Sequence, residues 1–156
     1  MEARDNNALG SIAYLNEKNA CYELIRTQQP IRSVKDGVKI LDIEAGQTAP
    51  VLVLNSDKGF YAVIISGERG KIDLQSIAKL LDCKSIEMAD KAEVLKVTGY
   101  APGRIPLVGH GLPCIIDRRL LQYPFIYGGS GDFVVTLKIE PQALYDLNTV
   151  IAELDS

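Results

Sequence analysis

The chain has 156 residues, of which 47% are apolar and 24% charged, and its net charge is −3. That length suffices for one domain with a real core, and the composition is that of an ordinary globular protein. Basic residues are scattered (Lys35 and Lys39, Arg69 and Lys71, Arg118 and Arg119), which argues against tight autonomous nucleic-acid binding and leaves room for a brief contact with the end of an RNA.

Residue types set further expectations. No apolar run approaches the ~18 residues of a membrane-spanning helix, so no membrane association is expected. Residues 1–7 are polar, without the apolar centre of an export signal, and the expected location is the cytoplasm. Cys21, Cys83 and Cys114 are widely separated, form no CxxC pair and lie in or beside apolar segments, so buried free thiols are expected. One histidine, His110, and no HExxH motif or Cys/His cluster argue against a metal, and no other cofactor is implied. Within Gly109-His110-Gly111 this histidine reads as a solvated loop residue. A monomer is the expected state.

Along the chain, residues 8–19 carry Leu9, Ile12 and Ala13 at helical spacing. Residues 22–25 read as a strand, broken at Gln28-Gln29-Pro30. Ser33 is placed to cap a helix with Val34, Val38 and Leu41 inward. Two apolar strands follow, at 50–54 and 61–65, joined by the hairpin sequence Asn55-Ser56-Asp57-Lys58-Gly59. Both are apolar on successive residues, as central strands are. Asp73 caps a helix with Leu74, Ile77, Ala78 and Leu81 on one face, and Asp90 with Glu93 forms a capping box for another that Gly99 stops. A strand is predicted at 113–116, with another starting at Ile126-Tyr127 before a glycine loop, 128–131. The last strand is predicted at 133–139. Pro141 opens a final helix with Leu144, Leu147 and Ile151 inward. Mixed helices and strands, partly in hairpins, predict an α+β fold: a central mixed sheet with flanking helices.

The stretch 98–132 organises the candidate chemistry. Ala101-Pro102-Gly103 reads as a turn, and Gly128-Gly129-Ser130-Gly131 as a second glycine-rich loop, on either side of the 113–116 strand. Such loops are either ordinary surface turns or the walls of a pocket lined by main-chain N–H groups. Ser130 and Asp132 could in principle serve as nucleophile or base, but no GxSxG elbow surrounds Ser130 and no histidine is placed by sequence to activate it. Asp117 reads as a cap or loop anchor for the residues after it.

Several segments, in order, are similar to one known family. They are Val51-Leu52-Val53-Leu54, Tyr61-Ala62-Val63-Ile64-Ile65, residues 72–81, Met88-Ala89-Asp90, Thr98-Gly99-Tyr100, Gly103-Arg104-Ile105-Pro106, Leu112-Pro113-Cys114-Ile115-Ile116-Asp117 and Ile126-Tyr127-Gly128-Gly129. The chain resembles, from Gln47 to Leu147, the YbaK/ProX family, the editing domain also inserted in bacterial prolyl-tRNA synthetases. The resemblance implies a compact barrel-like fold and a trans-acting deacylase that hydrolyses a mischarged tRNA of the Ala-, Cys- or Ser-tRNA type. It implies no metal and no covalent nucleophile. A GxxxP-type loop offers backbone donors to the aminoacyl carbonyl, and a lysine at the start of the first hairpin strand steadies the substrate. The implied partners are the 3′ end of an aminoacyl-tRNA, held weakly, and an aminoacyl-tRNA synthetase that presents it.

Carried over residue by residue, the resemblance puts the catalytic loop at Gly103, Arg104, Ile105 and Pro106, and substrate contacts at Thr48, Ala49, Gly128, Gly129, Ser130, Gly131 and Asp132. Two departures stand out. The family lysine falls on Ala49 or Thr48, and Pro50 removes a donor beside it. In the loop, proline comes one place early at Pro106, and Arg104 replaces a small residue. Either Arg104 supplies the lost cation from across the pocket, or the chain keeps the fold without the chemistry and binds an aminoacyl-nucleotide, an amino acid or a protein.

Overall fold

The structure is a computed structural model that describes residues 15–18 and 21–155. Of the helix expected at 8–19, residues 15–17 are helical, and residues 8–14 and 19 lie outside the described residues. Strand β1 (Tyr22–Arg26) leads to helix α1 (Val34–Leu41), then to the hairpin β2 (Val51–Ser56) and β3 (Gly59–Ile64). Helix α2 (Leu74–Leu81), strand β4 (Ile86–Met88), helix α3 (Lys91–Thr98) and strand β5 (Cys114–Asp117) come next. The hairpin β6 (Ile126–Asp132) and β7 (Val135–Ile139), helix α4 (Pro141–Leu147) and strand β8 (Val150–Leu154) complete the chain.

The helices start where the sequence caps them. Ser33 accepts a hydrogen bond from Asp36 N at 3.1 Å, and Asp73 accepts from the amides of Gln75 and Ser76. Asp90 and Glu93 close a reciprocal capping box, and Gly99 ends α3 in the left-handed conformation at φ 82°.

Strands β4-β2-β3-β5-β8 form a five-stranded sheet. It is mixed: β2 runs antiparallel to β3 and β4, whereas β3–β5 and β5–β8 are parallel. Strands β1-β7-β6 form a three-stranded antiparallel sheet. A parallel bridge between Thr48 and Tyr127, with Ala49 N donating to Tyr127 O at 2.9 Å, seams the two sheets into a barrel-like body. The apolar run of β3 is explained by burial on both faces. Ala62 and Ile64 belong to the core between the sheets, with Ile116, Leu137 and Ile139, while Val63 joins Ile65, Leu54, Ile77 and Ile115 under α2. A third cluster, Val53, Val94, Tyr100 and Ile105, fixes the 103–106 turn against α3.

Five expectations are corrected. The helix opened by Pro141 ends at Leu147, and Ile151 lies on β8, an edge strand parallel to β5. Residues 128–131 are not a loop but the body of β6, and the last predicted strand begins at Val135 rather than Phe133. His110 is not solvated: its side chain is 3% exposed. Of the cysteines, Cys114 is buried but Cys21 is exposed. Among the described residues, no helix is long and apolar enough to cross a membrane.

Candidate functional site

A cleft of about 290 Å³ opens where the two sheets meet α1. One wall is the start of β2 with Thr48, Ala49, Pro50 and Val51. The second is the turn Gly103-Arg104-Ile105. The third is Tyr127, Gly128 and Gly129 of β6 with Asp132, Phe133 and Thr136. The fourth is Ile31, Arg32, Val34 and Leu41 beside α1. Three segments far apart in sequence, each carrying predicted site residues, are thus brought together. Pro106, Ser130 and Gly131 do not line the cleft: Pro106 and Gly131 are buried behind it, and the Ser130 hydroxyl is spent on Val135 O at 2.6 Å.

The turn and β6 are pinned by the backbone. Leu107 N donates to Gly129 O at 3.0 Å, and the Ile105 carbonyl sits so close that a Cβ on Gly129 would lie 2.3 Å from its oxygen. Only glycine permits that approach. Gly103 holds φ 85°, which sets the direction of the turn. Within it, Arg104 N is committed to Ala101 O and Leu107 N to Gly129 O, while Pro106 has no N–H. Gly103 N and Ile105 N have no backbone acceptor among the described residues.

The seam carries no lysine. Thr48 is 7% exposed, with its hydroxyl donating to Ala45 O at 2.7 Å and its carbonyl accepting from Gly67 N at 2.9 Å. Ala49 is 2% exposed. The positive charges lining the cleft are Arg32 and Arg104, and its negative charge is Asp132, whose Oδ1 accepts from Val134 N at 3.0 Å. Arg104 donates through Nε and Nη2 to Gly131 O at 3.1 and 2.9 Å. Its guanidinium lies 5.4 Å from the Phe133 ring centroid, and that of Arg32 lies 4.5 Å from the same centroid. Burial raises the pKa of Tyr100, behind the turn, with the nearby Arg104 charge opposing.

Arg32 and Phe133 were missed by the sequence reading. Both sit at element ends with no motif around them, and 101 positions separate them, so only the tertiary fold places them together.

The buried groups Asp117 and His110 stand outside the cleft. Asp117 is fully buried and accepts from Arg69 Nε at 2.7 Å, Arg69 Nη2 at 2.9 Å, Ser66 N at 2.9 Å and Arg119 N at 3.0 Å. Burial pushes its pKa up, but these donors outweigh it and hold the carboxyl below its ordinary value. It is the anchor and cap expected from sequence, tying the ends of β3 and β5. His110 accepts from Leu112 N through Nδ1 at 3.1 Å, and burial lowers its pKa to about 4.

Comparison with known proteins bears on the family and the fold. A profile of the aminoacyl-tRNA editing domain matches residues 28–147. The proline–tRNA ligase of Syntrophotalea carbinolica is 30% identical over 117 residues, 74% of this chain and 19% of that protein. The chain spans between 16 and 22% of the proline–tRNA ligases it matches. The crystal structure of hypothetical protein APE2540 superposes with a TM-score of 0.85 over 92% of this chain and 97% of that one, at 24% identity, and shows the shared fold. A candidate trans-editing enzyme for prolyl tRNA synthetase superposes with a TM-score of 0.83 over 94% of each chain, at 26% identity. From the profile match over most of its length and the fold it shares, this chain belongs to the aminoacyl-tRNA editing domain family, the YbaK/ProX type.

Proposed function

We propose that the cleft hydrolyses the ester of a mischarged aminoacyl-tRNA in trans, with the whole chain acting as one domain in the cytoplasm. The observation that carries this reading is the junction of the Gly103–Ile105 turn, the β6 glycines and the β2 start around one cleft. In this reaction the oxygen of a water attacks the aminoacyl carbonyl carbon, and negative charge develops on the carbonyl oxygen. The amides of Gly103 and Ile105 are the donors for that oxyanion, and they need no reorganisation as it forms. The tetrahedral intermediate collapses by breaking the bond to the ribose oxygen, which leaves with a proton; the products are a free amino acid and tRNA. As the family resemblance implies, water and not a side chain is the nucleophile. Its orientation falls to the adjoining ribose hydroxyl, as the family resemblance implies.

Arg104 takes the place of the family lysine. Its charge is permanent, and it is held at the mouth of the turn by Gly131 O. The small, mostly apolar cleft suits a small aminoacyl group, with alanine, cysteine and serine as the candidates. Because the chain is acidic, presentation by a synthetase fits better than strong tRNA capture.

A second reading has its own observation: the lysine position is filled by buried, uncharged Thr48 and Ala49. On that reading the fold binds an aminoacyl-nucleotide, an amino acid or a protein partner without hydrolysing anything. The test is a deacylation time course on Ala-, Cys- and Ser-tRNA(Pro) and Ser-tRNA(Ala), with wild type beside Arg104→Ala and Ala49→Lys. Hydrolysis above the spontaneous rate that is lost in Arg104→Ala supports the deacylase. No hydrolysis by wild type, with some gained in Ala49→Lys, supports the second reading.

A further inference from the structure

Three arginines of this chain fall into two kinds. Arg69 is a structural arginine: its guanidinium forks onto buried Asp117 and also reaches Asp155 O. Arg32 and Arg104 have no carboxylate within salt-bridge distance among the described residues, yet their guanidinium groups converge on one Phe133 ring. Two guanidinium groups on one ring, neither in a salt bridge to a described residue, leave positive charge available to an anion.

The convergence is built by the backbone. Ile31 N donates to Phe133 O at 2.9 Å, which fastens the segment carrying Arg32 beside the ring. Arg32 N donates to Asp36 Oδ2 at 3.1 Å, which fixes that segment against the first turn of α1 and occupies this carboxylate oxygen with an amide. From the other side, Arg104 is tethered to Gly131 O. A guanidinium has five N–H donors. Two of those on Arg104 are spent on Gly131, and the Arg32 guanidinium makes no hydrogen bond to a described residue. The pair therefore offers many unused donors, in planar forks that match phosphate oxygens, at the rim of a cleft whose interior is mostly apolar.

We propose that Arg32 and Arg104, held against Phe133, form an anion subsite that takes the phosphodiester groups next to the terminal adenosine of the RNA. The identity of that ligand rests on the deacylase reading; the anion site itself rests on the two guanidinium groups. Arg104 is then shared between cleft and rim, and Arg32 is the residue through which the rim alone can be tested. This explains how an acidic chain without a basic face engages an RNA end: by two local charges instead of a surface field.

The test uses the full chain and the variants Arg32→Gln, Arg32→Lys and Phe133→Leu, each checked for folding by its thermal transition. Deacylation is followed on a mischarged tRNA and on the matching 2′(3′)-O-aminoacyl-adenosine, which has no phosphate. In Arg32→Gln the ratio of kcat/KM for tRNA over adenosine falls by about fivefold, through KM. The slope of log(kcat/KM) for tRNA against log salt flattens by about 0.7. Arg32→Lys recovers part of both, and Phe133→Leu lies between wild type and Arg32→Gln. An unchanged ratio and slope in Arg32→Gln overturn the subsite while leaving the deacylase intact. If wild type hydrolyses neither substrate, the deacylase reading falls and the subsite is judged by fluorescence anisotropy with a CCA-ended RNA hairpin. Weaker, less salt-sensitive binding by Arg32→Gln upholds it there; equal affinity, or no binding by wild type, overturns it.

Discussion

Gly129→Ala is the sharpest probe of how the cleft is assembled. An alanine Cβ at this position would lie 2.3 Å from Ile105 O and 3.2 Å from Ile105 C, where ordinary contact needs 3.4 Å or more. The obstructing atoms are backbone, so no rotamer change relieves them. Strand β6 and the 103–106 turn must move apart by about 1 Å, and the Leu107 N to Gly129 O bond of 3.0 Å lies in the same strip. Overpacking of this kind costs about 1–3 kcal/mol and a lost hydrogen bond about 1, so a loss of ~2–4 kcal/mol is expected. At a urea m-value of about 2 kcal/mol/M this lowers the unfolding midpoint by about 1–2 M. The control is Gly70→Ala. Gly70 sits at φ 77° with nothing within 4 Å of its Cβ, so only left-handed strain of ~1 kcal/mol applies. Urea denaturation followed by far-UV circular dichroism decides between them. A Gly129→Ala midpoint within error of wild type would refute the claim that the close approach is what holds the turn to the sheet. Deacylation measured alongside should fall by more than stability alone explains, because the turn carries the amides of Gly103 and Ile105.

Three other outcomes are expected. Asp117→Asn leaves Arg69 facing a neutral partner and costs about 3–5 kcal/mol, read from a denaturant midpoint. Because the Asp117 carboxyl is held below its ordinary value, its contribution is fully present above about pH 4 and disappears as pH falls through the lower folded pKa; acid titration of wild type against Asp117→Asn checks this. His110, with a folded pKa of about 4 against ~6.5 unfolded, costs the fold nothing by titration above about pH 6.5 and destabilises it by about 3 kcal/mol as pH falls toward 4, because the unfolded chain takes up the proton first. His110→Gln should flatten the wild-type stability slope across that window, and an equally steep slope in the variant would exclude the histidine as its source. Arg104→Ala should lower kcat/KM for deacylation by tenfold or more with a cost in stability of roughly 1 kcal/mol, since it removes hydrogen bonds to a single carbonyl; an unfolding scan beside the kinetics separates the two effects.

Much of the architecture was legible because it is locally encoded. Ser33, Asp73, Asp90 and Glu93 carry their capping chemistry in their own side chains, and the observed bonds follow directly. What was lost is what only tertiary pairing decides. Ile151 continues the spacing of Leu144 and Leu147, so it reads as helix, but Asn148 caps the helix and the freed segment pairs in parallel with β5. The glycines of β6 read as a loop because glycine is poor strand material. They are a strand because the 103–107 turn presses on it: Cβ atoms at Gly128 and Gly129 would meet Leu107 and Ile105 O. His110 looked solvated between two glycines, yet the Leu112 amide and the surrounding core enclose it. Of the candidate site, the turn and the seam were visible as motif fragments, whereas Arg32 and Phe133 carry no local signal.

The fold also suggests why a cation would arrive from the rim and not from the seam. Thr48 is fastened on every side: its amide and hydroxyl donate to Ala45 O, its carbonyl accepts from Gly67 N, and its methyl packs where a Cβ on Gly37 would come within 3.2 Å. Ala49 spends its amide on Tyr127 O. These residues close the barrel between its two sheets, so a long charged side chain there would have to leave a buried seam, at the desolvation cost that accompanies any buried ammonium. Pro50 then fixes the backbone just before β2 begins. The turn at 103–105, Asp132 and Phe133 at the end of β6, and the segment before α1 carry no such closure duty, and they line the cleft. Charge placed on them can steady an anionic substrate while the seam remains neutral and tightly packed. In this chain the part that holds the barrel shut and the part that supplies charge are separate, and Arg104, bonded to the backbone of β6, is the contact where they meet.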